Sequence, residues 1–155
     1  MSSSNSPADA PADVDRALMA ALARDGRASY TELAERVGLS VSAAHQRVRR
    51  LEQRGVIRGY GARIDPDLLG LPLTAFVSVK PIDAGAPDDT PERLAGLAAI
   101  GACHSVAGDE SYILKVRVAS PDALEALLAA IRAAANVTTR TTVVLSTFYE
   151  DRPPI

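Results

Sequence analysis

Apolar residues recur every three to four positions in the first third of the chain, and this period predicts three short helices. We expect them over residues 13–24, 29–38 and 40–54. The second opens with Ser29 and Glu32, whose S-x-x-E spacing is that of a capping box. Because only a short turn separates the second helix from the third, the three together predict a helix-turn-helix.

The predicted third helix has an apolar side and a polar side. At about 100° per residue, its apolar residues fall on one stripe that we expect to pack inward: Val41, Ala44, Val48 and Leu51. The opposite side contains no acidic residue and presents Ser42, Gln46, Arg49, Arg50 and Gln53. Arginine suits the edge of guanine and glutamine that of adenine, so we predict that this face reads DNA bases. Arg47 and Arg54 lie at its flanks, where backbone phosphates would be.

An extended, wing-like segment is predicted after the third helix, over residues 56–64. Its ends are β-branched and glycines lie within it, which favours extended backbone over helix. Arg58 and Arg63 would lie near phosphates there, and we expect Tyr60 to pack at an interface. Proline and glycine residues then mark a hinge over residues 65–72.

Residues 73–150 alternate between strand and helix patterns in the order β-α-β-β-α-β, which is the ferredoxin-like arrangement. We expect strands at 73–80, 102–107, 111–118 and 137–150, and helices at 90–100 and 121–135. The predicted fold class is therefore α+β, with a winged helix-turn-helix over residues 13–64 followed by a ferredoxin-like domain.

One face of the predicted sheet lacks a helical cover. Phe76, Ile113 and Val144 alternate out of phase with the core-facing residues, so the open face would be partly apolar. A second copy of the chain would bury this face, which predicts a homodimer. A dimer would also place two recognition helices on DNA half-sites about one helical turn apart.

The distribution of charge supports DNA binding although the net charge of the chain is −2. Residues 1–65 carry ten arginines and eight acidic residues, a net charge of +2, which leaves −4 for the remainder. Within residues 45–63, six arginines accompany only Glu52. An arginine-rich helix face can also be merely solvated, but solvated faces usually mix charges of both signs. Local charge governs contact with phosphate, so we favour a DNA-binding surface.

Several other kinds of site are not supported. Cys103 is the single cysteine, so we expect no internal disulfide and a small buried hydrophobe. His45 and His104 have no partner at metal-ligand spacing, which argues against a metal site. The sequence shows no nucleophile with a positioned base, no paired catalytic carboxylates and no phosphate-cradling loop, so we expect no enzyme and no cofactor.

The composition also predicts where the chain acts and where it is unfolded. No apolar run is long enough to cross a bilayer, and the N-terminus lacks the pattern of a signal peptide. We therefore expect a cytoplasmic protein with no membrane partner. Residues 1–12 contain small and polar residues, which predicts a disordered tail.

Taken in order, these residues closely resemble the Lrp/AsnC family, the leucine-responsive or feast/famine regulators. The resemblance covers nearly the whole chain after residue 12. The matching segments include Asp25-Gly26-Arg27, Val37-Gly38-Leu39-Ser40, Arg50-Leu51-Glu52, Gly55-Val56-Ile57, Gly59-Tyr60, Ala75-Phe76-Val77 and Thr139-Arg140-Thr141.

The resemblance implies a transcriptional regulator whose C-terminal domain forms dimers, and often tetramers or octamers. It also implies an amino acid or related metabolite as effector, bound in a cleft between dimers. The residues carried over to that cleft are Gly108, Asp109, Glu110 and Ser111 at the turn before the third strand, with Thr139 and Thr141 on the last strand. Turn N–H groups suit a carboxylate, whereas acidic side chains and hydroxyls suit an ammonium group.

One departure from the family leaves a second possibility open. Members commonly show Gly-Asp/Glu-Tyr-Asp-Tyr at this turn, whereas this chain has Gly108-Asp109-Glu110-Ser111-Tyr112. The effector preference would then differ, or there would be no effector. The alternative is a ligand-independent architectural protein that bends or compacts DNA. An ordinary hairpin turn and ordinary strand threonines would explain the same residues without a ligand.

Overall fold

The computed structural model describes residues 12–153 and 155, so the predicted disordered tail, residues 1–12, lies almost entirely outside the described residues. The chain divides into two compact units. The first extends to Ala62 and also includes Tyr149–Ile155, and the second is Arg63–Phe148. Among the described residues, no helix has the length and apolar character needed to cross a membrane.

Three helices build the first unit, as predicted: α1 (Asp13–Arg24), α2 (Tyr30–Val37) and α3 (Val41–Gln53). They share one small core made of two buried residues from each helix, Leu18, Ala21, Leu33, Ala34, Ala44 and Val48. Burying a leucine side chain in such a core contributes about 1.5–3 kcal/mol. This core fixes the angle at which α3 presents its outer face.

The turns of the helix-turn-helix follow the predicted local chemistry. Ser29 and Glu32 form the capping box, in which each side chain binds the other's backbone N–H. Gly38 ends α2 in the left-handed conformation, with φ 68°, and Ser40 caps α3 by accepting a hydrogen bond from the amide of Ala43. The prediction was wrong for Val41, which is 47% exposed because it lies in the first turn of α3, ahead of the packed stripe.

Residues 56–64, predicted as an extended, wing-like segment, begin with a bend and form no paired strand. The amides of Val56 and Ile57 both donate to the carbonyl of Leu51, which turns the chain back along the end of α3. Ile57 packs against the helical core.

The second unit has the predicted β-α-β-β-α-β order. Its elements are β1 (Leu73–Pro81), α4 (Thr90–Leu94), β2 (Ile100–Ser105), β3 (Tyr112–Val118), α5 (Pro121–Ala135) and β4 (Val137–Val143). The four strands form one antiparallel sheet in the order β2-β3-β1-β4. The ferredoxin-like architecture is therefore confirmed.

The core of the second unit lies between the sheet and its helices. It consists of alternate residues of β1 and β3, joined by the inner face of α5 and by Leu94 of α4. The strict alternation of buried and half-buried residues along β3 matches the predicted period of two. On the other face, Phe76 is 41% exposed and Ile113 is half-buried, so the predicted apolar character of the open face is confirmed.

Two element bounds in this unit differ from the prediction around α4. The helix ends at Leu94 rather than residue 100, and β2 begins at Ile100 rather than residue 102. Gly96 disfavours helix, and the amides of Leu97 and Ile100 donate to carbonyls three residues earlier, so the chain tightens into turns. Ile100 then pairs with Val116 as the first residue of β2.

The last strand is also shorter than predicted, ending at Val143 rather than residue 150. β4 is an edge strand whose single neighbour is β1. The amide of Val144 donates to the carbonyl of Thr74. Beyond this bond β1 has only Leu73 left to pair with, because the strand begins there. A strand without a partner cannot continue a ladder, whatever its β-propensity.

Cys103 corrects another expectation, because it is exposed rather than buried. It lies on β2, the opposite edge strand, where four of the six residues are exposed. Partial desolvation raises the pKa of the Cys103 thiol, which disfavours the reactive thiolate.

Candidate nucleic-acid interface and effector turn

The outer face of α3 carries the predicted base-reading side chains in exposed positions. Of the seven residues predicted to contact DNA, six are exposed: Ser42, Gln46, Arg49, Arg50, Arg54 and Arg58. Within residues 12–153, no hydrogen bond or ion pair engages the side chain of Arg49 or Arg50. Guanidinium groups held on a rigid helix with their donors unused are suited to bind base edges or phosphates.

Arg47, the seventh residue, has an internal partner. Its Nη1 lies 2.9 Å from Oδ1 of Asp15 on α1, and the two side chains are 33% and 17% exposed. This ion pair joins α1 to α3 and holds the side chain of Arg47 in place. Arg47 therefore supports the position of α3 in addition to the phosphate contact predicted for it.

The structure places two predicted phosphate contacts, Arg47 and Arg54, beside the predicted base-reading Arg50, and leaves Arg58 apart. Arg47, Arg50 and Arg54 line one small cavity of about 50 Å³ beside Asp15 and Leu51. Arg58 lies instead along an apolar groove of about 510 Å³ lined by residues of α1, by residues 56–60 and by Pro153 and Ile155. The arginines thus form one cluster on α3 and one separate cation beyond it.

Glu52, the lone carboxylate of the basic segment, is held by Tyr60. The hydroxyl of Tyr60 donates to Oε1 of Glu52 over 2.8 Å. Desolvation and this hydrogen bond raise the pKa of Tyr60 to about 12, so the hydroxyl remains a donor at neutral pH. The ring of Tyr60 also approaches Gly26, where an added Cβ would lie 3.5 Å from Cδ1 of the ring. Tyr60 therefore packs within the first unit, on Glu52 and beside Gly26, whereas the sequence predicted a place at an interface.

The predicted effector turn joins β2 to β3. The amide of Val106 donates to the carbonyl of Ser111, and the amide of Ser111 donates to the carbonyl of Val79 on β1, so the turn is fixed to the sheet. Gly108 is exposed, its φ is not in the left-handed range, and a Cβ added there would meet nothing within 4 Å. The fold alone does not require glycine at this position.

The threonines predicted to share that cleft lie across β1 from the turn. Val79 pairs with both Tyr112 and Thr139, so Thr139 is at the same end of the sheet as the turn, and Thr141 pairs with Val77 two residues further along. Their partners in register place both threonines on the helix-covered face. There the hydroxyl of Thr139 accepts a hydrogen bond from Nη1 of Arg132, over 3.1 Å.

Glu110 contacts β4 on the open face of the sheet, opposite to the face that carries the two threonines. Its carboxylate forms an ion pair with the guanidinium of Arg140, and the two side chains are 21% and 76% exposed. The turn therefore contacts β4 through Glu110, and the β4 residue it contacts is Arg140 rather than Thr139 or Thr141. Sequence reasoning missed Arg132 and Arg140 as partners. The alternation of residues along β4 could have indicated Arg140, because it places this residue on the open face.

Comparison with known proteins agrees with this division of the chain. Residues 12–58 match the model for winged helix-turn-helix DNA-binding domains, and residues 74–154 match the model for the Lrp/AsnC ligand-binding domain. The second match alone spans just over half of the chain.

The chain belongs to the Lrp/AsnC family of transcriptional regulators.

Its relatives support the assignment over almost its full length. It is 57% identical over 143 residues to the HTH-type transcriptional regulator LrpA of Mycobacterium tuberculosis, covering 92% of this chain and 95% of that protein. It is 42% identical over 118 residues to the leucine-responsive regulatory protein of Escherichia coli K12, covering 74% and 71% of the two chains.

A solved structure gives the same result. The feast or famine regulatory protein of M. tuberculosis complexed with L-methionine is 57% identical, with a TM-score of 0.91, and the match covers 93% of this chain and 98% of that one. This Lrp/AsnC protein is therefore a DNA-binding transcriptional regulator with a ligand-binding domain, and not an enzyme.

Proposed function

We propose that this Lrp/AsnC regulator reads a specific DNA sequence through the outer face of α3 and changes its DNA affinity or assembly when an amino acid binds its second unit. In this proposal residues 13–64 bind DNA in the cytoplasm, residues 65–72 are a hinge, and residues 73–150 hold the effector and the oligomer contacts.

The proposal that α3 reads DNA rests mainly on the exposed side chains of Arg49 and Arg50. Both are exposed on a helix whose opposite side is buried, and neither has a partner in the described part of the chain. We propose that Ser42, Gln46, Arg49 and Arg50 contact bases, and that Arg54 and Arg58 contact phosphates. Arg47, held by Asp15, would contribute its remaining donors to a phosphate while fixing α3 on α1.

Selection from a random DNA pool tests this part directly. The wild-type protein should enrich a motif with two half-sites about one helical turn apart, as expected for a symmetric dimer. Enrichment of no motif, with binding that depends on salt alone, would contradict sequence-specific reading.

The effector proposal places an amino acid at the β2–β3 turn. We propose that the backbone and side chains of Gly108, Asp109, Glu110 and Ser111 contact it, with Thr139 and Thr141 nearby on β4. The L-methionine in the complex of a relative 57% identical supports an amino acid as the class of ligand. Methionine and leucine are the first effectors to test.

A ligand-independent architectural role is the second candidate, and one feature of this chain favours it. Glu110 is already paired with Arg140, and the hydroxyl of Thr139 already accepts from Arg132. An effector would have to displace or extend these contacts, which lowers its net gain on binding. Calorimetric titration of the twenty amino acids, followed by DNA affinity and particle size, separates the candidates. If no amino acid changes either quantity, the architectural role is favoured.

We further propose that the open face of the sheet is covered by a second copy of the chain. Phe76 and Ile113 supply apolar area there, while Lys115 and Arg117 share the face. Analytical ultracentrifugation of Phe76→Asp against wild type tests this, because a charge in the interface should shift the protein towards monomer. Tetramers and octamers would appear in the same experiment as heavier species of the wild type.

A further inference from the structure

Glu52 presents a problem for DNA reading that the proposed function does not address. It is the single carboxylate among six arginines in residues 45–63, and it lies three residues after Arg49 on α3. Side chains three apart on a helix are neighbours and can form ion pairs. At the spacings of three and four residues, the other neighbours of Glu52 are Val48, Gly55 and Val56, none of which is charged. Arg49 is therefore the cation that Glu52 would neutralise on its own helix.

The structure shows Glu52 bound elsewhere. The Tyr60 hydroxyl donates to Oε1 of Glu52 over 2.8 Å, and the Tyr60 ring rests near Gly26, so the donor is held by packing as well as by its hydrogen bond. Arg49 meanwhile is exposed and engaged by no hydrogen bond or ion pair among the described residues. Among the described residues, Glu52 is thus bound by the tyrosine while the arginine at its i−3 position has no side-chain partner.

We propose that Tyr60 is a specificity-determining positioning residue: by holding Glu52, it keeps the guanidinium of Arg49 available for a base edge. Tyr60 itself makes no DNA contact in this account. The inference rests on the proposed base-reading role of Arg49. It gives residues 56–64 a second task, the positioning of Glu52, in addition to the phosphate contact proposed for Arg58.

The size of the effect follows from the competing pair. An exposed ion pair at this spacing is populated roughly half to two-thirds of the time. If only the remaining fraction of Arg49 is competent to bind a base, the affinity for the cognate site falls about two- to threefold per recognition helix. Affinity for unrelated DNA changes less, because it depends on phosphate contacts rather than on one base pair.

The test compares Tyr60→Phe with wild type on two duplexes, one carrying the motif that the wild type selects and one a scrambled sequence of the same composition. Tyr60→Phe retains the ring beside Gly26 and removes only the hydroxyl. We expect the ratio of cognate to scrambled affinity to fall about two- to threefold per helix. Tyr30→Phe is the matched control, since Tyr30 packs on His45 in the same unit and should leave the ratio unchanged.

Rescue separates this role from a structural one. In a Glu52→Gln background no carboxylate remains to pair with Arg49, so adding Tyr60→Phe should leave the ratio unchanged. The inference is wrong if Tyr60→Phe alone preserves the ratio, or if it lowers the ratio equally in the Glu52→Gln background. If the wild type selects no motif at all, the proposed base reading fails and the inference falls with it. A motif that Tyr60→Phe reads as well as wild type overturns the inference alone.

Discussion

The outer face of α3 and the turn between β2 and β3 differ in how far their polar groups are already occupied. On α3, Arg49 and Arg50 are exposed and engaged by no partner among the described residues, while the lone acid Glu52 is held by a tyrosine. At the turn, Glu110 is paired with Arg140, and the nearby Thr139 accepts from Arg132.

The difference follows from how each surface is built. The face of α3 is a single helix fixed by a buried core, so its backbone is pre-positioned and DNA binding needs to order only its exposed side chains. The proposed effector residues come from a turn and an edge strand separated by β1, and two of them, Glu110 and Thr139, are already engaged by the neighbouring Arg140 and Arg132. A site of the first kind suits constant DNA recognition. A site of the second kind suits a switch, because a ligand must exchange one set of contacts for another.

The largest effect that this comparison predicts is on base reading. Arg49→Ala or Gln46→Ala should cost about 1–3 kcal/mol at one base pair of the selected motif and relax the preference there. Binding to scrambled DNA should change much less. Mobility-shift titrations against single-base variants of the motif measure both. A uniform loss across all variants would show that these residues contact phosphate instead.

Gly108→Val is expected to act on the switch and not on DNA reading. A Cβ at this position meets no described atom within 4 Å and requires no left-handed backbone, so the fold should be retained. A ligand seated against the turn would collide with the new side chain, so the effector-dependent change in DNA affinity, typically about 5–150-fold in allosteric proteins, should largely disappear. Titration with L-methionine and L-leucine measures it. An unchanged effector response would remove the turn from the site.

Smaller and sequence-independent losses are expected at the flanking cations. Arg54→Ala and Arg58→Ala should each weaken binding to cognate and scrambled duplexes alike, and lower the slope of log affinity against log salt by about 0.9. Because Arg58 lies apart from the cluster on α3, the two effects should be additive. A change in base preference from either variant would contradict the assignment to phosphate.

The smallest effect is expected at the ion pair that supports α3. Asp15→Asn removes a partly exposed pair worth about 1 kcal/mol or less, so the Tm should fall by only a few degrees. Arg47 is then released towards the phosphates, and affinity for scrambled DNA should hold or rise slightly. A large loss of DNA binding with an unchanged Tm would show that Asp15 orients α3 more strictly than the ion pair implies.

The two regions also differ in how far their structures could be predicted from sequence. The face of α3 follows from one helical period, so its exposed residues and buried stripe were assigned correctly, apart from Val41 at the helix end. The partners Asp15 and Tyr60 come from other elements, 32 and 8 residues away, and no local pattern indicates them.

In the second unit the order of elements was predictable, but the ends of α4 and β4 were not. The end of β4 depends on which strand is available to pair, which is a tertiary property, and α4 ends in the tight turns around Gly96. The contact between Glu110 and Arg140 depends on the same sheet order, since 30 residues separate the two in sequence. Residues from distant segments form a site only once the register of the sheet is known.

The account depends on α3 lying in the major groove with its arginines on guanine. Methylation interference on the selected duplex tests this most directly, because a methyl group on guanine N7 blocks an arginine in that groove. We predict interference at guanines in two half-sites about one helical turn apart, and its loss at one guanine of each half-site in Arg49→Ala. Tight binding to the motif without interference at any guanine N7 would contradict the account.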